Sequence, residues 1–182
     1  KAVEVKNNSG DLPLHIALYL NAPIEIIMLL VDQSLEAIKV KNKFGDLPLH
    51  IACKNDGSVN IVKKFLVTYP GAVQVKNSYG RLPLHHVCDA DMTRLLLDAY
   101  PEGAKVQDEC GCLPLHFACI HGRSLKVLHM LLEAYPEGMD VRDQSNKKPS
   151  FYLNCRAEFN FGGEKSFLLH NAITCRFSSI LV

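Results

Sequence analysis

The chain has no long hydrophobic run. Its longest uninterrupted aliphatic stretch, Ile26 to Val31, falls far short of the ~20 residues that a helix needs to span a bilayer, so no membrane insertion is expected. Charge of one sign is also lacking, since 20 basic residues face 19 acidic ones for a net +1. A protein held on nucleic acid by bulk charge concentrates Lys and Arg, and this one does not. The seven cysteines are odd in number and do not have the spacing of a small disulfide framework. A reducing compartment fits them better, which makes an intracellular, cytoplasmic protein the expectation. Lys1 is not an initiator methionine and no charged-then-apolar leader follows it, so the chain reads as a fragment. Catalytic motifs are missing as well: no phosphate-binding glycine loop, no Gly-x-Ser-x-Gly elbow, no His-Glu-x-x-His helix, and no recurring acidic pair. Neither an enzyme nor a cofactor is expected. At 48% hydrophobic and 21% charged, the composition is that of a globular protein.

What the chain does have is an internal repeat. Gly10-Asp11-Leu12-Pro13-Leu14-His15-Ile16-Ala17 and Gly45-Asp46-Leu47-Pro48-Leu49-His50-Ile51-Ala52 are identical strings. They recur as Gly80-Arg81-Leu82-Pro83-Leu84-His85-His86-Val87 and Gly111-Cys112-Leu113-Pro114-Leu115-His116-Phe117-Ala118. Successive prolines lie 35, 35 and 31 residues apart, and Pro149, a further 35 on, belongs to a degenerate copy with Asn146 for Gly and Phe151 for His. At the amino end, Lys1 to Asn7 matches Gly71 to Asn77, so the chain opens inside a repeat.

One unit reads as a pair of short helices. Pro48 suits the first turn of a helix, where its missing N–H has no intrahelical partner to lose. Leu49, Ala52 and Cys53 mark one face, and Asp56-Gly57 breaks the helix. Ile61, Val62, Phe65 and Leu66 form the apolar stripe of a second helix that ends at Tyr69-Pro70-Gly71. Ala72 to Val75 is expected to run extended towards Gly80, a turn position where positive φ costs little. The third unit is four residues shorter, with Cys88-Asp89-Ala90-Asp91 in place of a longer loop, and its first helix or loop is expected to be truncated without interrupting the stack. Such a pair cannot bury its apolar face alone, but stacked neighbours can.

These units resemble the ankyrin repeat, whose signature is Gly-x-Thr-Pro-Leu-His-x-Ala. The resemblance covers roughly residues 1 to 151 and implies an all-α solenoid of stacked helix-turn-helix units with short β-hairpin loops. The array would comprise units near 7–41, 42–76, 77–107 and 108–142 and a degenerate 143–151, followed by a tail or degenerate cap over 152–182 expected to be weakly ordered. Two departures stand out. Leu12, Leu47, Leu82 and Leu113 replace the threonine whose hydroxyl caps the first helix in the family, a loss worth ~1 kcal/mol unless Asp11 or Asp46 substitutes. Each full unit is also about two residues longer than the usual 33.

In the family the signature histidine hydrogen-bonds nearby backbone, which gives His15, His50, His85 and His116, with Pro13, Pro48, Pro83 and Pro114, a structural role. Successive copies stand roughly 8–10 Å apart, too far to share a zinc ion bound at ~2 Å. Cys53, Cys88 and Cys119 align with Leu18 and read as packed apolar positions. Cys110, Cys112 and His121 lie outside the repeat pattern. With His116 and Cys119 they leave a metal site, or a redox-sensitive Cys110/Cys112 pair, as an alternative that lacks finger or ribbon spacing.

The resemblance further implies a protein or peptide partner held in a concave groove of hairpin tips and first-helix faces. Position by position, the groove comprises Asn8, Ser9 and Asp11; Lys43, Phe44, Asp46 and Lys54; Ser78, Tyr79, Arg81 and Asp89; and Glu109, Cys110, Cys112 and Ile120. Phe44, Tyr79 and Arg81 are of the types that dominate binding hot spots. An alternative is that the array is the targeting or regulatory arm of a larger enzyme or channel.

Overall fold

The computed structural model describes residues 5–55 and 58–153. Each copy of the Leu-Pro-Leu-His string starts a helix at its proline: α1 is Pro13–Tyr19, α3 is Pro48–Lys54 and α6 is Pro114–Ile120. The second helices are α2 (Ile24–Gln33), α4 (Val59–Thr68), α5 (Ala90–Ala99) and α7 (Leu125–Ala134). In the short third unit the first helix shrinks to a 3-10 turn, Pro83–His86, and Asp89 already caps α5. The stack nevertheless continues, because that turn packs between α3 and α6 as a full helix would.

First helices stack on first helices and second on second, giving two layers with the apolar core between them. α3 is buried from Pro48 to Cys53, whereas α4 buries only Ile61, Val62 and Phe65. The two layers therefore differ: α3 lies almost wholly inside the stack, while α1 leaves Ile16 and Tyr19 exposed on one face, and the second helices carry an amphipathic stripe. Cys53 and Cys119 sit in this core, where burial pushes both thiols up, that of Cys119 to about 12, so both pack as apolar side chains.

After each Tyr-Pro, the chain does not extend. Pro70–Gln74, Pro101–Lys105 and Pro136–Met139 are 3-10 helices, so the extended run expected over Ala72 to Val75 is confined to Val75. Ala72 and Val73 are apolar and a 3-10 turn places both in the core, which a strand with alternating faces does not allow. The expected β-hairpin loops are likewise tight turns, with no strand among the described residues. Pro149 starts a helical segment through 153, and Asn146 takes the glycine's place at φ +61°. The expectation of weak order over 152–182 falls, from residue 154 onward, outside the described residues.

Leu84 is 3% exposed at the centre of the stack. Leu84→Ala is expected to lower stability by ~2–5 kcal/mol as a buried large-to-small change, read from the urea unfolding midpoint. A midpoint that does not move places Leu84 outside the shared core.

Candidate functional site

The turns that join the units follow one design, repeated five times. Asn42 is 6% exposed, and its Oδ1 accepts the backbone N–H of Phe44 and of Asp46, both at 3.0 Å. Asn7, Asn77, Asp108 and Asp143 do the same for the residues two and four positions on, at 2.8–3.0 Å. The glycine three residues after each of the first four closes the turn in the left-handed region, at φ +73° to +77°. A Cβ on Gly45 would stand 2.6 Å from the Ser78 backbone nitrogen, because the next turn is stacked directly against it.

Successive turns are tied by one backbone hydrogen bond each: Lys43 N–H to Ser9 O, Ser78 to Phe44, Glu109 to Tyr79 and Gln144 to Cys110, at 2.9–3.0 Å. Side chains add a second rung. Asn42 Nδ2 donates to Asp11 at 2.9 Å, and Asn77 Nδ2 donates to Asp46 at 2.8 Å. At the third interface the polarity inverts. Arg81 stands where the aspartate was and Asp108 where the asparagine was, and Arg81 Nε donates to Asp108 Oδ2 at 3.0 Å. At the end of the described array the Tyr152 hydroxyl donates to Asp143. Burial alone would raise the Asp143 carboxyl, but that hydroxyl and the Lys147 and Ser145 amides together hold it below the usual carboxylate range.

The four signature histidines are 0–2% exposed. The Nδ1 of each accepts the N–H of the leucine three residues before it, at 3.0–3.1 Å. That acceptor role leaves the proton of a neutral ring on Nε2. His50 Nε2 donates to Arg81 O at 3.1 Å and His116 Nε2 to Lys147 O at 3.3 Å, each in the following turn. His15 and His85 face the corresponding carbonyls of Asp46 and Cys112 outside good hydrogen-bond geometry. Asp11 and Asp46 do not replace the missing threonine cap, since both accept from the next turn's asparagine. The N-cap leucines instead bury their side chains, 1–2% exposed, and make no side-chain cap.

The predicted groove residues divide in two. Lys43, Phe44, Lys54, Ser78, Tyr79, Glu109 and Cys110 are exposed, as are Asn8 and Ser9, with Phe44 at 48% and Tyr79 at 47%. Ile120 is half-buried. The others are engaged inside the fold. Asp11 is buried and Asp46 half-buried in the rungs described above. Asp89 caps α5 by accepting from Met92 N at 2.8 Å. Cys112 is 7% exposed and its thiol is pushed up to about 12 by burial, so it offers neither a contact surface nor a reactive thiolate.

Arg81, besides its ion pair, lies 4.6 Å from the Phe117 ring centroid and 5.2 Å from that of Tyr79. Phe117 stacks on His121. The position after the signature histidine is the one that sequence reasoning missed: Phe117 and His86 occupy it, half-buried, beside the predicted residues. Its periodicity is visible in the string, but its chemistry varies from unit to unit. The described residues contain no group of three or more His, Cys, Asp or Glu side chains that could hold a metal ion, and Cys53, Cys110, Cys112 and Cys119 are free thiols.

A stack of two-helix units joined at one edge by polar turns defines a repeat solenoid. The family model for ankyrin repeats (3 copies) matches residues 1–72 and 49–145, and the chain belongs to that family. No curated protein matches the chain significantly. Ankyrin repeats are generally protein–protein interaction modules and are typically non-catalytic. Among the described residues, no helix is long and apolar enough to cross a membrane.

Two outcomes follow from the turn chemistry. Asn77→Ala leaves the Tyr79 and Arg81 amides without their acceptor and is expected to cost ~2–4 kcal/mol, more than one ordinary hydrogen bond, in urea unfolding. Burial lowers His15, His50 and His116 below their ordinary value of 6.5, and lowers His85 to about 4 and His86 to about 3. On acidification the unfolded chain therefore takes up protons before the folded one does. Stability should be full above about pH 6.5 and fall steadily towards pH 4, by up to ~1.4 kcal/mol per pH unit for each such group. A urea midpoint equal at pH 7.5 and 5 contradicts a neutral, buried ladder.

Proposed function

We propose that the array over residues 1–151 is a non-catalytic recognition module that binds another protein or peptide along its turn tips and the adjoining first-helix surface. One observation carries this reading: the exposed rings of Phe44 and Tyr79 stand on backbone that is already fixed. The amide of each donates to its own turn's asparagine, and the carbonyl of each accepts from the next turn. Two large, half-exposed rings are thus presented with little further ordering on binding. Arg81, although of the hot-spot type, is committed to Asp108, so it supports the neighbouring rings rather than reaching for a partner.

The test is capture of a partner by the intact chain, by Phe44→Ala/Tyr79→Ala, and by Arg94→Ala/Lys126→Ala on the opposite, second-helix surface. Both variants should first be shown folded by circular dichroism. A protein retained by the intact chain and the second variant but lost by the first supports the proposal. Retention by all three baits overturns the placement of the site, and capture by none overturns the module reading for this part of the chain.

A further inference from the structure

Beside the turn tips runs a row of lysines at one-unit intervals. Lys6 Nζ reaches the Lys41 carbonyl at 3.3 Å, Lys41 Nζ the Lys76 carbonyl at 2.8 Å, and Lys76 Nζ the Gln107 carbonyl at 3.5 Å. Each ammonium is laid along the stack and held by the backbone of the next unit, with two of its three donors left over. Lys43 stands on the adjoining turn, and all four side chains are exposed.

The acidic residues of these turns do not neutralise the row. Asp11 is buried in its rung, Asp46 accepts from Asn77, and Asp108 is paired with Arg81. Among the described residues, none of the four lysines forms an ion pair. The row ends at the fourth unit, where Gln107 follows Lys76 in register and exposed Glu109 replaces Lys43. The edge of the first three turns is thus a strip of positive charge on a nearly neutral protein.

We infer that the strip of Lys6, Lys41, Lys43 and Lys76 recognises an acidic, extended peptide segment of a protein partner. This deepens the proposal above and rests on its reading of the array as a protein-binding module. The spacing sets the peptide's pattern. Units stack at roughly 8–10 Å, and an extended chain advances ~3.3 Å per residue, so carboxylates three residues apart meet successive ammonium groups. Pairing of this kind governs specificity and association rate and weakens with salt.

The probe is a fluorescein-labelled peptide of four Glu-Ser-Ser triplets, titrated against the full chain by fluorescence anisotropy. Saturable binding is expected at low salt, lost in high salt, and weakened roughly tenfold or more by Lys6→Gln/Lys41→Gln/Lys76→Gln, an exposed triple change checked by circular dichroism. No binding by the intact chain, or equal binding by the triple variant, overturns the inference. So does equal or tighter binding of a single-stranded oligonucleotide of the same length, which would make the strip a general polyanion surface. The peptide has no apolar side chain, so it reads the lysines alone. Its failure leaves the Phe44 and Tyr79 surface untouched, and failure of the capture experiment leaves the strip to be judged on this titration.

Discussion

The side-chain oxygen of one Asn or Asp per turn is the interaction on which the array depends. Placed at the start of each turn, it accepts two backbone amides that the turn geometry turns inward and that no helix or strand partner can reach. From Asn42 onward the group is buried and the next unit lies directly against it. The turn must therefore be satisfied internally before stacking can occur. Once it is, the turn presents a carbonyl and an amide at fixed positions, and one backbone hydrogen bond joins it to each neighbour. The helices follow from this, since the signature proline lies three residues beyond the glycine that closes the turn.

Conservation of that geometry coexists with exchange of its charges. Asp11 with Asn42 and Asp46 with Asn77 are rungs in which an amide donates to a carboxylate. Arg81 with Asp108 makes the same rung with donor and acceptor traded between the two positions. Either residue changed alone would leave a buried carboxylate or a guanidinium unmatched, and the pair together restores the contact. The exchange also brings Arg81 over Tyr79 and Phe117. The rung that holds the third and fourth units together is thus the one that orders the aromatic surface between them.

The systematic leucine in place of the family's threonine fits the same economy of space. A hydroxyl cap would satisfy one amide at the start of each first helix. Here the leucine is buried instead, and in the second, third and fourth units the amide of the signature histidine turns to the leucine's own carbonyl at 2.9–3.0 Å. The histidine ring accepts from the leucine's N–H and, in the second and fourth units, donates onward to the next turn. A side chain that looks like a potential ligand in the sequence is in the fold a neutral strut whose two nitrogens face two different units.

The amino-acid string alone carries the repeat and its period, the helix starts at the prolines, the positive-φ turn at the glycines, the shortened third unit and the family. All of these are local: they rest on strings of a few residues and on the faces that a helix of 3.6 residues per turn must present. It misjudged Ala72 to Val75, because apolar character signals burial without saying whether a strand or a 3-10 turn achieves it. It also credited Asp46, Arg81, Asp89 and Cys112 to a surface. Folding is what makes Asp46 and Arg81 rungs, Asp89 a cap and Cys112 a core residue. The partners of the two rungs lie 31 and 27 residues away, and only the register of one unit on the next brings them within hydrogen-bonding distance. The lysine row is of the same kind, since a string of sequence shows the charges but only stacking lines them up.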